Sequence, residues 1–223
     1  MTKLKKNLIA AAVLVVGFAT AYGSYLLLSP EGRSGSASLD VEPAADAQPV
    51  RASSHRLTSP ERSELTVVEF LDFECEACAA YYPVVERLRE EYGDRVTFVA
   101  RYFPMPGHRN AELAARTVEA AAMQGKFEEM YDQLFTTQKE WGESQDWKED
   151  VFRDYARELG LNMPQFDTDL ADPETAGRVI ADQRDGVGLG VTGTPTFFFD
   201  GEMVASPGSY DEFKGLIEAG LED

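Results

Sequence analysis

The chain contains two cysteines, Cys75 and Cys78, separated by Glu76 and Ala77 and placed directly after the apolar run of residues 65–73. Two thiols at this spacing can close a disulfide across nearly one helical turn, or can supply half of a metal site. At the end of a strand and the start of a helix, the pair reads as a redox dithiol. A helix N-terminus offers unsatisfied N–H groups and partial positive charge, which stabilise a thiolate on the first cysteine. There is no third cysteine for a separate structural bridge. A zinc centre would have to draw its remaining ligands from His55 and His108, and His55 lies in a polar stretch outside the expected domain. No metal and no cofactor are therefore expected.

The elements that must position this pair follow from the pattern around it. Residues 65–71 are β-branched and apolar and short enough for a buried strand. Residues 75–92 form a helix ending at Gly93, with Pro83 inside it, where a kink or a break is expected. Residues 95–102 are a second strand, and the crossover length suits parallel pairing. Helical stretches follow at 109–125, 126–139 and 148–159, and Pro164 and Pro173 stand as first-turn prolines of two more helices. The β pattern returns at 195–199, turns at Asp200-Gly201, and pairs back through 202–205 before a closing helix at 210–221.

The N-terminus reads differently. Residues 1–7 carry three lysines, and residues 8–28 are 21 residues without a charge. At about 1.5 Å per residue such a helix just spans a hydrocarbon core of roughly 30 Å. Lysines before it and none just after place residues 1–7 in the cytoplasm. Ala19-Thr20-Ala21 offers a competing signal-peptide cleavage site, but the apolar run continues through residues 22–28, which favours an uncleaved anchor. Residues 29–59 are rich in Ser, Gly, Pro, Ala and Asp and read as a flexible linker. Residues 60–223 are long enough for one well-buried core. The whole chain carries a net charge of −18, concentrated in that last part. Such a surface disfavours nucleic acid and anionic headgroups and suits a soluble domain.

Taken together, Phe73-Glu74-Cys75-Glu76-Ala77-Cys78 and Gly193-Thr194-Pro195-Thr196-Phe197 resemble the DsbA-like branch of the thioredoxin superfamily. Arg101-Tyr102-Phe103-Pro104 with His108, and Gln124-Gly125-Lys126-Phe127, are similar to that branch too. The resemblance spans residues 65–221 and implies an α/β thioredoxin-like fold with a helical insertion at about 108–188, here preceded by a transmembrane helix. It implies that Cys75 is the nucleophile and Cys78 the buried resolving thiol. It also implies a cis Pro195 that presents Thr194 beside the pair for a client backbone. Glu69, six residues before Cys75, stands where the superfamily carries a buried acid. Burial would raise its pKa and fit it to relay a proton to or from Cys78.

The segment between and before the cysteines departs from the strong oxidants of that branch, which carry a histidine in the dipeptide. Here Glu74, Glu76 and Ala77 stand instead, and the two acids are expected to raise the Cys75 pKa and make the pair less oxidising. The resemblance implies a loop at the active-site cleft that His108 could join, but His108 is expected first to cap or pack at the start of the 109–125 helix. Trp141 and Trp147 are expected to serve packing or surface roles. The reading that results is a membrane-anchored, extracytoplasmic thiol:disulfide oxidoreductase, monomeric, acting on cysteine-containing exported proteins and coupled to a membrane redox partner. A reductase of the same fold, or a tethered binding module without redox turnover, are the alternatives.

Overall fold

The computed structural model describes residues 41–222. The cytoplasmic stretch expected at 1–7, the membrane helix at 8–28 and most of the first half of the linker at 29–59 lie outside them. No described helix is long and apolar enough to cross a membrane.

A five-stranded sheet organises the described residues, in the order β1-β3-β2-β4-β5. Its centre is β2 (Leu65–Leu71), parallel to β3 (Val96–Tyr102) with Glu69 opposite Ala100 and Phe70 opposite Arg101. The strand pair β2/β3 is joined by α1 (Glu76–Tyr92). β2 and β3 are almost wholly buried on both sides, so the near-continuous apolar run of β2 is the composition that a doubly covered strand requires. β4 (Thr196–Phe199) runs antiparallel to β2, and β5 (Glu202–Val204) returns beside it through Asp200-Gly201. Both turn residues have positive φ (44° and 91°), the left-handed geometry that a two-residue hairpin demands and Gly201 accepts without strain.

Between β3 and β4 the chain is helical: α2 (Ala111–Ala122), α3 (Phe127–Thr136), the short α4 (Gln138–Trp141), α5 (Glu149–Glu158), α6 (Met163–Ala171) and α7 (Pro173–Gly188). The chain closes with α8 (Tyr210–Gly220). Pro164 and Pro173 do sit in first turns, behind the caps Asn162 and Asp172, whose side chains accept from Gln165 and Glu174 N–H groups. Trp141 is fully buried and donates to the Leu134 carbonyl, whereas Trp147 is exposed.

Two cores flank the sheet. Val67, Leu71, Phe73 and Ala100 face α1 and the helical insertion. Val68, Phe70, Val99 and Phe103 form a smaller cluster on the other face, where α7 packs. Gly186 of α7 permits that approach, because a Cβ there would come within 2.6 Å of the Phe103 ring.

Two expectations require correction. The helix α1 runs through Pro83 without interruption. Proline forfeits one N–H and crowds the preceding turn, but here burial of Val85, Leu88 and Tyr92 on one face holds the helix in register. The second concerns the linker. From residue 41 onward the chain is packed on the domain, so a flexible tether does not extend to residue 59. His55–Arg56 form the edge strand β1, antiparallel to β3, and the ladder continues through Leu57 N–H to the Phe98 carbonyl at 2.8 Å. Ala44 N–H donates to the Arg184 carbonyl, and Arg51 makes two hydrogen bonds to Asp185 at 2.5 and 2.6 Å. Polar composition suggested a solvated chain. Hydrogen bonds, which need no apolar residues, supply much of the attachment, and Leu57 and Val50 add contacts to the two cores.

Candidate active site

Cys75 is the N-cap of α1, with extended backbone (φ −71°, ψ 120°), and no side-chain cap satisfies the first turn. The orphan N–H groups of that turn therefore serve the Cys75 sulfur. Both cysteines are free thiols, Cys75 partly exposed and Cys78 fully buried. The turn that carries them is clamped from both sides. Cys75 N–H donates to the Asp72 carbonyl at 3.1 Å, and the Gln138 amide of α4 donates to the Phe73 and Cys75 carbonyls at 2.7 and 2.9 Å.

The Thr194–Pro195 peptide is cis, as expected, and sets the Thr194 carbonyl 3.4 Å from Cys75 Sγ, which donates to it. The Thr194 hydroxyl is buried beside the Cys75 sulfur and favours its thiolate.

These surroundings separate the two thiols. The hydrogen bond from Cys78 is the largest influence on Cys75 and outweighs its partial burial. With Thr194 and the N–H groups of Cys78 and Ala77 it lowers the Cys75 pKa to about 5. Cys78 is pushed well above the ordinary thiol value, first by burial, then by its bond to Cys75 and the charge of Glu69.

Glu69 is buried on the β2 face that holds Val67 and Leu71, and it borders a small void also lined by Val85, Phe98 and Phe197. Desolvation, then the charges of Glu86 and Cys75, raise its pKa to about 8. It is therefore a neutral acid at pH 7, and its charge, when it forms, is among the influences that raise Cys78.

The net shift of Cys75 is downward although acids flank it. Glu74 lines the Cys75 cleft, but its carboxylate is turned towards α2. It is buried, and Oε2 accepts the Asn110 N–H at 2.6 Å, at the start of α2. Burial raises its own pKa. Glu76 lies exposed in the first turn of α1, and direct hydrogen bonds lead the influences that set Cys75. The helix terminus and direct hydrogen bonds outweigh neighbouring acids because they act at contact distance without intervening solvent.

Sequence reasoning passed over Asp72 and preferred a capping or packing role for His108 to one in the cleft. Asp72, buried at the end of β2, accepts from Glu74 N–H at 2.8 Å and Met105 N–H at 2.9 Å. It also sits 2.6 Å from His108 Nδ1. His108 and Cys75 line the same cleft, about 380 Å³, with Glu74, Glu76 and Glu143. The run Cys75-x-x-Cys78 gave no hint of this, since 36 residues separate Asp72 from His108. A second and larger groove, about 690 Å³, shares His108 and Arg109 with the cleft and runs on past Trp147, Leu170 and Ile180.

Comparison with known proteins agrees with this geometry. The thioredoxin family model (Thioredoxin_4) matches residues 59–219. The chain belongs to the thioredoxin family, and its fold is that of DsbA-like thiol-disulfide oxidoreductases. Among solved structures it is similar to a thioredoxin-like oxidoreductase from Silicibacter pomeroyi DSS-3, with a TM-score of 0.67 and 27% identity, covering 81% of this chain and 99% of that one. It shares the fold of BdbD from Bacillus subtilis (TM-score 0.65, 22% identity, 82% and 97% covered). It also shares that of alpha-DsbA1 from Wolbachia pipientis (TM-score 0.69, 16% identity, 78% and 93% covered). Among curated sequences it is 36% identical over 194 residues to the Na(+)/H(+) antiporter NhaA of Herminiimonas arsenicoxydans, covering 87% of this chain and 30% of that protein. It is 38% identical over 170 residues to NhaA 3 of Salinispora tropica, covering 76% and 25%. The chain thus spans under a third of the length of these curated relatives.

Proposed function

We propose that the protein is an extracytoplasmic thiol:disulfide oxidoreductase that donates disulfides to exported proteins through a Cys75–Cys78 cycle. The observation that carries this reading is the split between an acidic, accessible Cys75 and a buried, weakly acidic Cys78. In the oxidised protein a client thiolate attacks Cys75 Sγ. The Cys75–Cys78 bond breaks, its electron pair goes to Cys78, and Glu69 supplies the proton. A second client thiolate then attacks the client sulfur of the mixed disulfide and expels Cys75 as a thiolate. The client has lost two electrons and the pair has gained them.

An acidic Cys75 stabilises the reduced pair and so favours disulfide donation over reduction. The Thr194 backbone beside the cis peptide offers the client a hydrogen-bonding edge, and the groove beyond His108 offers its flank an apolar wall. Anchoring through residues 8–28, with residues 1–7 in the cytoplasm, would hold the domain beside a membrane partner that reoxidises it. The monomer and the exported clients belong to the same proposal.

The decisive measurement is the equilibrium of the Cys75–Cys78 pair with glutathione. A potential well above the thioredoxin value of about −270 mV is expected; a value at or below it would sink the donor reading in favour of the reductase. Ultraviolet titration of the reduced protein should show a thiolate midpoint near pH 5 that vanishes in Cys75→Ser. Client handling that survives Cys75→Ser would instead support a binding module. A Cys78→Ala variant should trap clients and the membrane partner as mixed disulfides.

A further inference from the structure

We propose that His108, held by Asp72, is the cation of the catalytic cleft: a positioning residue that stabilises the Cys75 sulfur anion as it forms and as it leaves. The proposal rests on the disulfide-exchange reading and adds a group to it.

Asp72 is the fixed end of this arrangement. Its carboxylate is fully buried, one oxygen accepting Glu74 N–H and the other shared between Met105 N–H and His108 Nδ1. The segment bearing His108 is also tied down. Phe103 N–H extends the ladder to the Leu71 carbonyl at 2.7 Å, and His108 N–H closes a turn onto the Met105 carbonyl at 3.0 Å. The end of β2 therefore fixes both Cys75, through the Asp72 carbonyl, and His108, through the Asp72 side chain. Such an imidazole has little freedom to swing away from the cleft.

With Nδ1–H committed to a carboxylate, the exchangeable proton lies on Nε2, and the ring is about one-third exposed where it lines the Cys75 cleft. The hydrogen bond to Asp72 is the main cause that raises the His108 pKa, and the Cys75 and Glu74 charges raise it further.

The charged groups around His108 leave it little competition. Asp72 is its partner from β2. Glu74 is turned to the Asn110 N–H, and Glu76 is on the first turn of α1. Glu143 lines the cleft from the far loop, and Arg109 has its guanidinium 5.0 Å above the Trp147 ring. Acids thus predominate at the cleft, and an imidazolium there offsets them at the moment when Cys75 is expelled from the mixed disulfide. The atom balance of the cycle is unchanged: His108 forms no bond to sulfur and loses no electrons.

The test uses His108→Gln and His108→Lys in the full chain. His108→Gln should move the thiolate midpoint of Cys75 up by about one pH unit. It should also shift the glutathione equilibrium about tenfold towards the oxidised pair, which corresponds to a potential lower by about 30 mV. His108→Lys should recover most of both shifts, because it returns the positive charge without the imidazole. In the unaltered protein, the His108 ring resonance should titrate at higher pH in the reduced than in the oxidised form. That measurement needs no variant and so survives any folding defect. An unchanged midpoint in His108→Gln, a His108→Lys variant no better than Gln, or a His108 titration blind to oxidation state would each overturn the proposal. A failure of the unaltered protein to exchange with glutathione would instead overturn the enzyme reading, leaving the two failures distinguishable.

Discussion

Two buried charges stand one rung apart on neighbouring strands and have opposite fates. Arg101 of β3, opposite Phe70, is fully buried and fully partnered. Its guanidinium donates to Asp182 at 2.7 Å, to Asp185 at 2.6 Å, and to the Gln48 and Pro49 carbonyls at 3.0 and 2.6 Å. Glu69 of β2, on the other face of the sheet, has no hydrogen-bond or ion partner among the described residues that would hold it ionised. Paired charge is structural here: it locks α7 and residues 48–51 onto β3. The unpaired acid is poised: desolvation makes it neutral at pH 7, the state that the proposed proton transfer to Cys78 requires.

The largest effect should come from the paired side. Arg101→Met leaves Asp182 and Asp185 without their shared buried partner and should cost about 3–5 kcal/mol in chemical denaturation. Disulfide exchange per folded molecule should be nearly unchanged. If exchange fell while stability held, Arg101 would belong with the catalytic groups and the contrast would be lost.

Glu69→Gln should act in the reverse sense. A carboxyl whose folded pKa is raised contributes stability that is complete below its unfolded value near 4.5 and is lost as pH rises through about 8. The glutamine variant escapes that loss. Its advantage over the unaltered protein should grow at roughly 1.4 kcal/mol per pH unit, reaching about 3 kcal/mol at pH 7. Formation of the mixed disulfide, the step in which Cys78 leaves and takes a proton, should slow by about tenfold or more. Pulse-quench kinetics with parallel denaturation at pH 4.5 and pH 7 would show both. A variant that is neither more stable at pH 7 nor slower would place Glu69 among ordinary buried polar groups.

How far this contrast could be read from sequence depends on the range of the interactions involved. Cys75, Cys78, Glu69 and the helical insertion were legible because strand and helix periodicities are local and Thr194-Pro195 is a short motif. Arg101 was visible only as part of a motif; its partners lie 81 and 84 residues away. Asp72 escaped notice, and its pairing with His108 could not be read, for the same reason. Glu74 was legible as a neighbour of Cys75, but the turn of its carboxylate to the Asn110 N–H, 36 residues away, was not. Residues 41–59 misled because polar composition is a signal of weak burial, not of missing hydrogen bonds.

The smallest effect falls on Arg51, which reaches the same Asp185 from the formerly expected linker and is about 29% exposed. Burial would raise the Asp185 pKa, but hydrogen bonds from Arg51 and Arg101 outweigh it and hold it below the usual range. A depressed carboxylate contributes stability that is present above its unfolded value near 3.9 and lost as pH falls through the folded one. Arg51→Met removes only the outer of two partners, so a loss of about 1–2 kcal/mol is expected, the size of a hydrogen bond to a charged group. The loss should be constant from pH 5 to 7 and shrink only in strong acid, while proteolysis within residues 41–51 should accelerate. A cost equal to that of Arg101→Met would mean that the attachment of residues 41–51, not the buried strand charge, is what the cluster principally secures.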